Sequence, residues 1–201
     1  FLAYLYQTNQ YELADWVKDN VYFPSCMVDR ITPRTHDVLR REVEELFPSY
    51  GKDAIQTEEY SQWVIENKFI TDFPDLSRVG VTITSYIDPY EETKIRILNG
   101  GHTSLAYLGA LSGYTTFDQV MSNKSHLDHF RKLQMEEIIP SLDINIPFDV
   151  YEYVDMVESR FSSVTNVDEL ERICMDGFTK FHTFIVPSLR VCLNRGKRPL
   201  Q

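Results

Sequence analysis

Pro89-Tyr90-Glu91-Glu92-Thr93-Lys94-Ile95-Arg96-Ile97-Leu98-Asn99-Gly100-Gly101-His102-Thr103-Ser104-Leu105-Ala106-Tyr107-Leu108-Gly109-Ala110-Leu111-Ser112-Gly113 is the stretch on which the fold turns. Pro is tolerated in a first helical turn, and no breaker of consequence follows before Gly113. The stretch therefore predicts one helix of about 24 residues, roughly 35 Å at 1.5 Å rise per residue. Its second half, Leu105 to Leu111, is apolar on nearly every side, which predicts a helix surrounded by other helices.

Downstream, a short helix is expected near Phe117–Met121 and a longer one from about His126 to Ile139, where Pro140 ends it. Another is expected from about Val150 to Phe161. A helix capped by Asp168 should lead to Asp176-Gly177, and a last one should cover about Phe178 to Leu193 with Pro187 inside it. Upstream, Leu13, Trp16, Val17 and Val21 have helical spacing and predict a helix from about Glu12 to Asn20. Thr35 is a candidate cap for a helix reaching Leu46 through Val38, Leu39 and Val43. Ser25 to Thr32 lies between Pro24 and Pro33 and reads as a rigid, partly buried loop. The β-branched runs Trp63-Val64-Ile65 and Val79-Gly80-Val81-Thr82-Ile83 read as two strands. With no repeat or long linker in view, the expectation is a single mainly α domain over 1–201. It is a multi-helix domain around one long central helix, with a small two-stranded β accessory.

Composition narrows the function. Twenty basic against thirty acidic side chains leave a formal charge of −10, which repels polyphosphate and makes nucleic acid and anionic membranes poor partners. No window approaches the roughly 18 apolar residues of a spanning helix. The start has neither a charged n-region nor a cleavage site. Cys26, Cys174 and Cys192 are odd in number and form no CxxC pair, which argues against a disulfide framework or thiolate metal site and for a cytoplasmic setting. None of the eight Gly falls in GxGxxG or GxxxxGK[ST], so no phosphate-cradling loop is visible. The chain does not open on Met, and is expected to be part of something longer.

Three polar residues, Lys94, Asn99 and His102, sit where the long helix becomes apolar. At about 100° per residue, Asn99 lies about 140° and His102 about 80° around the axis from Lys94, so the three fit within one arc. A lysine beside apolar walls loses its proton more readily, as a base near neutral pH must. Asn offers a neutral amide donor for an oxyanion, and His a partner for a hydroxyl. Spacing alone equally fits a solvated Lys, an Asn tolerated before Gly100-Gly101, and a core His. The two Gly imply either tight helix packing or a close approach to the backbone. His126 and His129 form at most half of a metal site, with no third ligand identifiable. Arg172, Asp176 and Lys180 recur every four residues. On an unbroken helix that is a surface ion-pair ladder, or two cations flanking a carboxylate that receive substrate oxygens.

Four segments together bear a resemblance: Met27-Val28-Asp29-Arg30-Ile31-Thr32-Pro33, Trp63-Val64-Ile65-Glu66, Pro89 through His102, and Met175-Asp176-Gly177-Phe178-Thr179-Lys180. Their order and spacing resemble the polyol-specific long-chain dehydrogenases of the mannitol dehydrogenase family, whose Lys-x4-Asn-x2-His signature stands here as Lys94, Asn99 and His102. The resemblance implies the family's helical C-terminal substrate domain, of the 6-phosphogluconate dehydrogenase C-terminal type. It also implies an N-terminal Rossmann partner domain, absent from this chain, that binds NAD or NADP, and no metal.

The resemblance makes Lys94 the general base, Asn99 a donor to the developing alkoxide, and His102 a ligand of a substrate hydroxyl. Arg172 and Lys180 would contact the far hydroxyls, and Val28 and Asp29 would lie at the nicotinamide end, with Asp29 also touching substrate. A further Asn that the family uses as half of its oxyanion hole is not in this chain. The implied substrates are a polyol and its ketose, of the mannitol or arabinitol type. The alternatives are a hexuronate reductase of the fructuronate type, whose substrate carboxylate Arg172 or Lys180 could pair with, and a helical interaction module without catalysis.

Overall fold

The computed structural model describes residues 1–69, 72–142, 145–165 and 167–201. The protein is mainly helical, but the single domain expected over 1–201 divides into two compact units: Phe1–Asp29 with Ser61–Asp88, and Arg30–Tyr60 with Pro89–Gln201. Each unit is built from two separate stretches of chain. No linker-like composition marks such a division, which is why the sequence reads as continuous.

In the first unit, α1 (Leu2–Gln7) and α2 (Tyr11–Asn20) pack through Leu5, Ala14 and Val17. Leu13 and Trp16 of the expected apolar stripe remain exposed. The expected loop around Met27 is instead a strand, β1 (Cys26–Asp29), in which Met27 and Asp29 are buried and Cys26 and Val28 exposed. It pairs antiparallel with β2 (Gln62–Glu66), with Val28 opposite Trp63. β2 pairs parallel with β3 (Thr82–Thr84), with Ile65 opposite Ile83. The accessory sheet therefore has three strands rather than two, because Pro24 and Pro33 fall outside β1 and leave its ladder donors intact. Leu76–Val79 forms a 3-10 turn closed by Gly80 at φ +87°, so β3 begins later than its β-branched run.

In the second unit, α3 (Asp37–Leu46) has no side-chain cap and buries none of its residues. Thr35 does not cap it, because its hydroxyl accepts from the Gln56 amide at 2.8 Å. The central helical run covers 88–111: α4 (Asp88–Thr93), a π-helical stretch Lys94–Gly100, and α5 (Gly101–Leu111). Around it pack α6 (Phe117–Ser122), α7 (Lys124–Lys132) with its π-helical continuation Leu133–Ile138, and α8 (Val150–Phe161). They share a core that includes Ile97, Leu105, Phe117, Phe130, Val154 and Phe161. Full burial of each such side chain is worth about 1.5–3 kcal/mol. Asp149 caps α8 by accepting from the Tyr151 and Glu152 amides at 2.8 and 3.2 Å.

α9 (Leu170–Cys174) has Glu169, not the expected Asp168, at its N-terminal boundary and no side-chain cap bond there, and ends at Met175 and the left-handed Asp176, φ +56°. α10 (Gly177–Lys180), a π-helical stretch Phe181–Ile185 and α11 (Val186–Asn194) complete the fold. A buried fork joins Arg160 of α8 to Glu58, with contacts of 3.0 and 2.7 Å. The Ile31 amide also donates to Glu58, so residues 30–60 are tied to the helices by a charged pair whose removal on one side alone would cost about 3–5 kcal/mol.

Candidate active site

The π-helical stretch decides how the central run presents its polar residues. A π turn closes between residues five apart, one more than in an α-helix, which swings residue i+5 back towards the face of residue i. Asn99 is therefore brought to about 40° around the axis from Lys94 instead of about 140°. His102 is three further on and is Asn99's neighbour on the helix surface. The three form one row along the helix.

Their surroundings differ in a chemically useful way. Lys94 is partly buried and, among the described residues, makes no hydrogen bond or ion pair. Two neighbouring charges on the same run pair with each other, Glu92 with Arg96 at 2.9 Å, and Arg96 also donates to the Ser141 carbonyl at 3.1 Å. The Asn99 amide oxygen is buried with no partner among the described residues.

The His102 ring is enclosed by Phe117, edge-on at 4.4 Å between centroids, and Phe161, stacked at 5.0 Å. Burial pushes its pKa down to about 4, with Asp168 opposing the shift and Arg172, Lys180 and Arg160 adding to it. It is a neutral imidazole at pH 7, able to donate to or accept from a hydroxyl. A narrow crevice at this ring is lined by Ile31, Asp118, Arg160 and the two Phe.

Arg172 and Lys180 do not share a helix face, because the chain breaks between them at Met175-Asp176. Arg172 forms a bidentate fork with Asp168, one contact being 2.8 Å from Nε to Oδ1. The carboxylate holds the guanidinium pKa up. Lys180 Nζ donates to the Ile173 carbonyl at 2.7 Å. Both remain close enough to His102 for their charges to act on it. The sequence reading missed the Asp168 clamp, although Asp168 and Arg172 stand four apart, the spacing of a helical ion pair.

In the first unit, Val28 is 61% exposed and Asp29 4% exposed at the C-terminal end of β1. His126 and His129 face serines, Ser112 at 3.3 Å and Ser104 at 3.5 Å. Among the described residues no group of three or more metal-ligating side chains occurs, and no helix is long and apolar enough to cross a membrane.

Residues 86–200, more than half the chain, match the model of the mannitol dehydrogenase C-terminal domain. The chain belongs to the mannitol dehydrogenase family. Residues 2–78 match the mannitol dehydrogenase Rossmann domain, which corrects the expectation that this domain is absent from the chain, although they contain no Gly-rich turn. Mannitol 2-dehydrogenase of Cereibacter sphaeroides is 41% identical over 98% of this chain and 41% of its own length. D-arabinitol 4-dehydrogenase of Ralstonia nicotianae is 36% identical over 98% of this chain and 42% of its own. Among solved structures, Pseudomonas fluorescens mannitol 2-dehydrogenase, in ternary complex with NAD and D-mannitol, matches with a TM-score of 0.85 and 37% identity, over 98% of this chain and 40% of that one. The chain thus spans about two fifths of the family members it matches.

Proposed function

We propose that this chain supplies the substrate site of an NAD(P)-dependent, zinc-independent dehydrogenase that interconverts a sugar alcohol and a ketose, of the mannitol or arabinitol type. The observation that carries the reading is the π turn that brings Asn99 onto the Lys94 face of the helix while, among the described residues, the Lys94 side chain makes no hydrogen bond or ion pair and the buried Asn99 Oδ1 has no partner. Polar groups kept unpaired in a partly buried row are costly unless a ligand completes them.

An exposed apolar Val28 beside a buried Asp29, at the carboxyl end of a strand, fits the edge of a nicotinamide ring. The rest of the nucleotide would be held mainly by a Gly-rich turn that is not among these residues. When bound, the nucleotide would supply the hydride acceptor for the carbinol carbon. Lys94 takes the hydroxyl proton as base, and returns it as acid when the ketone is reduced. The Asn99 Nδ2 group donates to the oxygen as it gains negative charge, which needs no metal. Neutral His102 holds a substrate hydroxyl. Arg172, fixed by Asp168, and Lys180, fixed by Ile173, present cations to the more distant hydroxyls.

The test is a panel of polyols and hexuronates with NAD and NADP, run on the full-length protein before and after exhaustive chelation. Oxidation of a polyol that survives chelation is expected. Turnover of hexuronates alone, or activity lost on chelation and restored by zinc, would contradict the reading.

A further inference from the structure

Gln134 lies outside the row of Lys94, Asn99 and His102, yet it touches the backbone that forms that row. It is 0% exposed, on the π-helical stretch Leu133–Ile138. Its Nε2 donates to the Ile97 carbonyl at 3.2 Å in a buried hydrogen bond. Ile97 is the central residue of the π turn between Lys94 and Asn99, and its carbonyl also accepts from the Gly101 amide, where α-helical geometry resumes. The identity of the amide atom is settled by chemistry, since a carbonyl oxygen only accepts.

The two glycines that follow Asn99 make this approach possible. A Cβ on Gly101 would stand 2.8 Å from Gln134 Nε2 and 2.7 Å from Phe130 Cε2. A Cβ on Gly100 would stand 3.1 Å from the Phe184 carbonyl, which belongs to the π-helical stretch Phe181–Ile185. Two other π-helical segments thus close on the turn at Gly100 and Gly101. This gives a specific use to a pair of residues that otherwise weakens a helix interior.

π turns occur mostly as single insertions and need tertiary support. Relaxation of this one to α-helix would rotate Asn99 by about 100°, one residue's worth, away from Lys94. A second acceptor bond on Ile97 is support of that kind. The other end of the same side chain sharpens the point, because Gln134 Oε1 is buried without a partner among the described residues. A position needed only to fill space would be served better by Met or Leu, which bury no unsatisfied acceptor.

We propose that Gln134 is a positioning residue: its amide, tied to the Ile97 carbonyl, holds the π turn that turns Asn99 onto the Lys94 face of the helix. The inference rests on the assignment of Lys94 and Asn99 to the reaction.

The experiment compares Gln134→Met, Gln134→Glu and Lys94→Ala in the full-length enzyme, with rates expressed per folded protein well below the unfolding midpoint. Gln134→Met keeps the volume and removes the donor; it should lower kcat at least about tenfold while leaving the nucleotide KM within about twofold. Gln134→Glu can donate to Ile97 only when protonated, so the ratio of its kcat to wild type should fall as pH rises, where the Met variant's ratio stays flat. A Met variant within about twofold of wild-type kcat overturns the proposal. So does a flat pH ratio for Gln134→Glu, which decides the matter should the Met variant fail to fold. If Lys94→Ala retains activity, the site assignment fails and this inference with it. If Lys94→Ala is inactive and Gln134→Met is not, only the role of Gln134 fails.

Discussion

Two helical runs of this chain are alike as sequences and unlike as structures. The run over 88–111 and the one from Leu170 towards Asn194 both carry polar residues at helical spacing beside apolar ones. In the first, an inserted π turn keeps the helix continuous and draws Lys94, Asn99 and His102 onto one face, where among the described residues neither Lys94 nor the Asn99 oxygen has a partner. In the second, left-handed Asp176 breaks the helix, and the two cations are taken up by Asp168 and the Ile173 carbonyl. Apolar periodicity therefore tells where a helix lies. Local departures from α geometry tell which of its polar groups stay free for chemistry and which become scaffold.

The largest stability effect that sharpens this contrast belongs to His102. Its folded pKa is depressed to about 4, so the unfolded chain binds more protons between that value and the ordinary 6.5. The stability it preserves is complete above pH 6.5 and is lost as pH falls towards 4, up to about 3 kcal/mol. Denaturant unfolding at pH 7.5 and 4.5 should show a larger acid loss for wild type than for His102→Phe. Equal losses would mean that the ring is not enclosed as the two Phe contacts require.

A smaller effect is expected across the second run. The Arg172–Asp168 pair joins a guanidinium with 44% exposure to a carboxylate with 5%. A double-mutant cycle with Arg172→Met and Asp168→Asn should return a coupling of about 1 kcal/mol. A coupling indistinguishable from zero would leave Arg172 as free as Lys94 and erase the difference between the two runs.

Much of this fold was legible beforehand, and the exceptions have common physical causes. α2 and α8 fall within a residue of expectation, since a buried face repeats every three or four residues whatever it packs against. β1 was not legible, because its partner β2 lies more than thirty residues downstream and nothing between Pro24 and Pro33 announces it. The Glu58–Arg160 fork joins residues 102 apart, beyond the reach of any spacing rule.

At the candidate site, the signature singles out Lys94, Asn99 and His102, the residues proposed here to carry the chemistry. Their alignment was not legible in it, because a π turn has no apolar period of its own. The Asn99-Gly100-Gly101 run was its one trace. Asp176-Gly177 was a similar mark of the break between Arg172 and Lys180, and it is Gly177, against the Tyr107 hydroxyl, that has no room for a Cβ.

The central claim is that Lys94 moves the proton. In the full-length enzyme, under conditions where hydride transfer limits the rate, Lys94→Ala should lower kcat by at least about a hundredfold, since a positioned proton-transfer group is worth about 10²–10⁴-fold. Nucleotide affinity should be nearly unchanged. Small primary amines should restore part of the lost rate, increasingly as pH rises and more of the added amine is unprotonated. A Lys94→Ala enzyme that keeps more than about a third of wild-type kcat, with no response to added amine, would make Lys94 a helix-surface lysine and contradict the account.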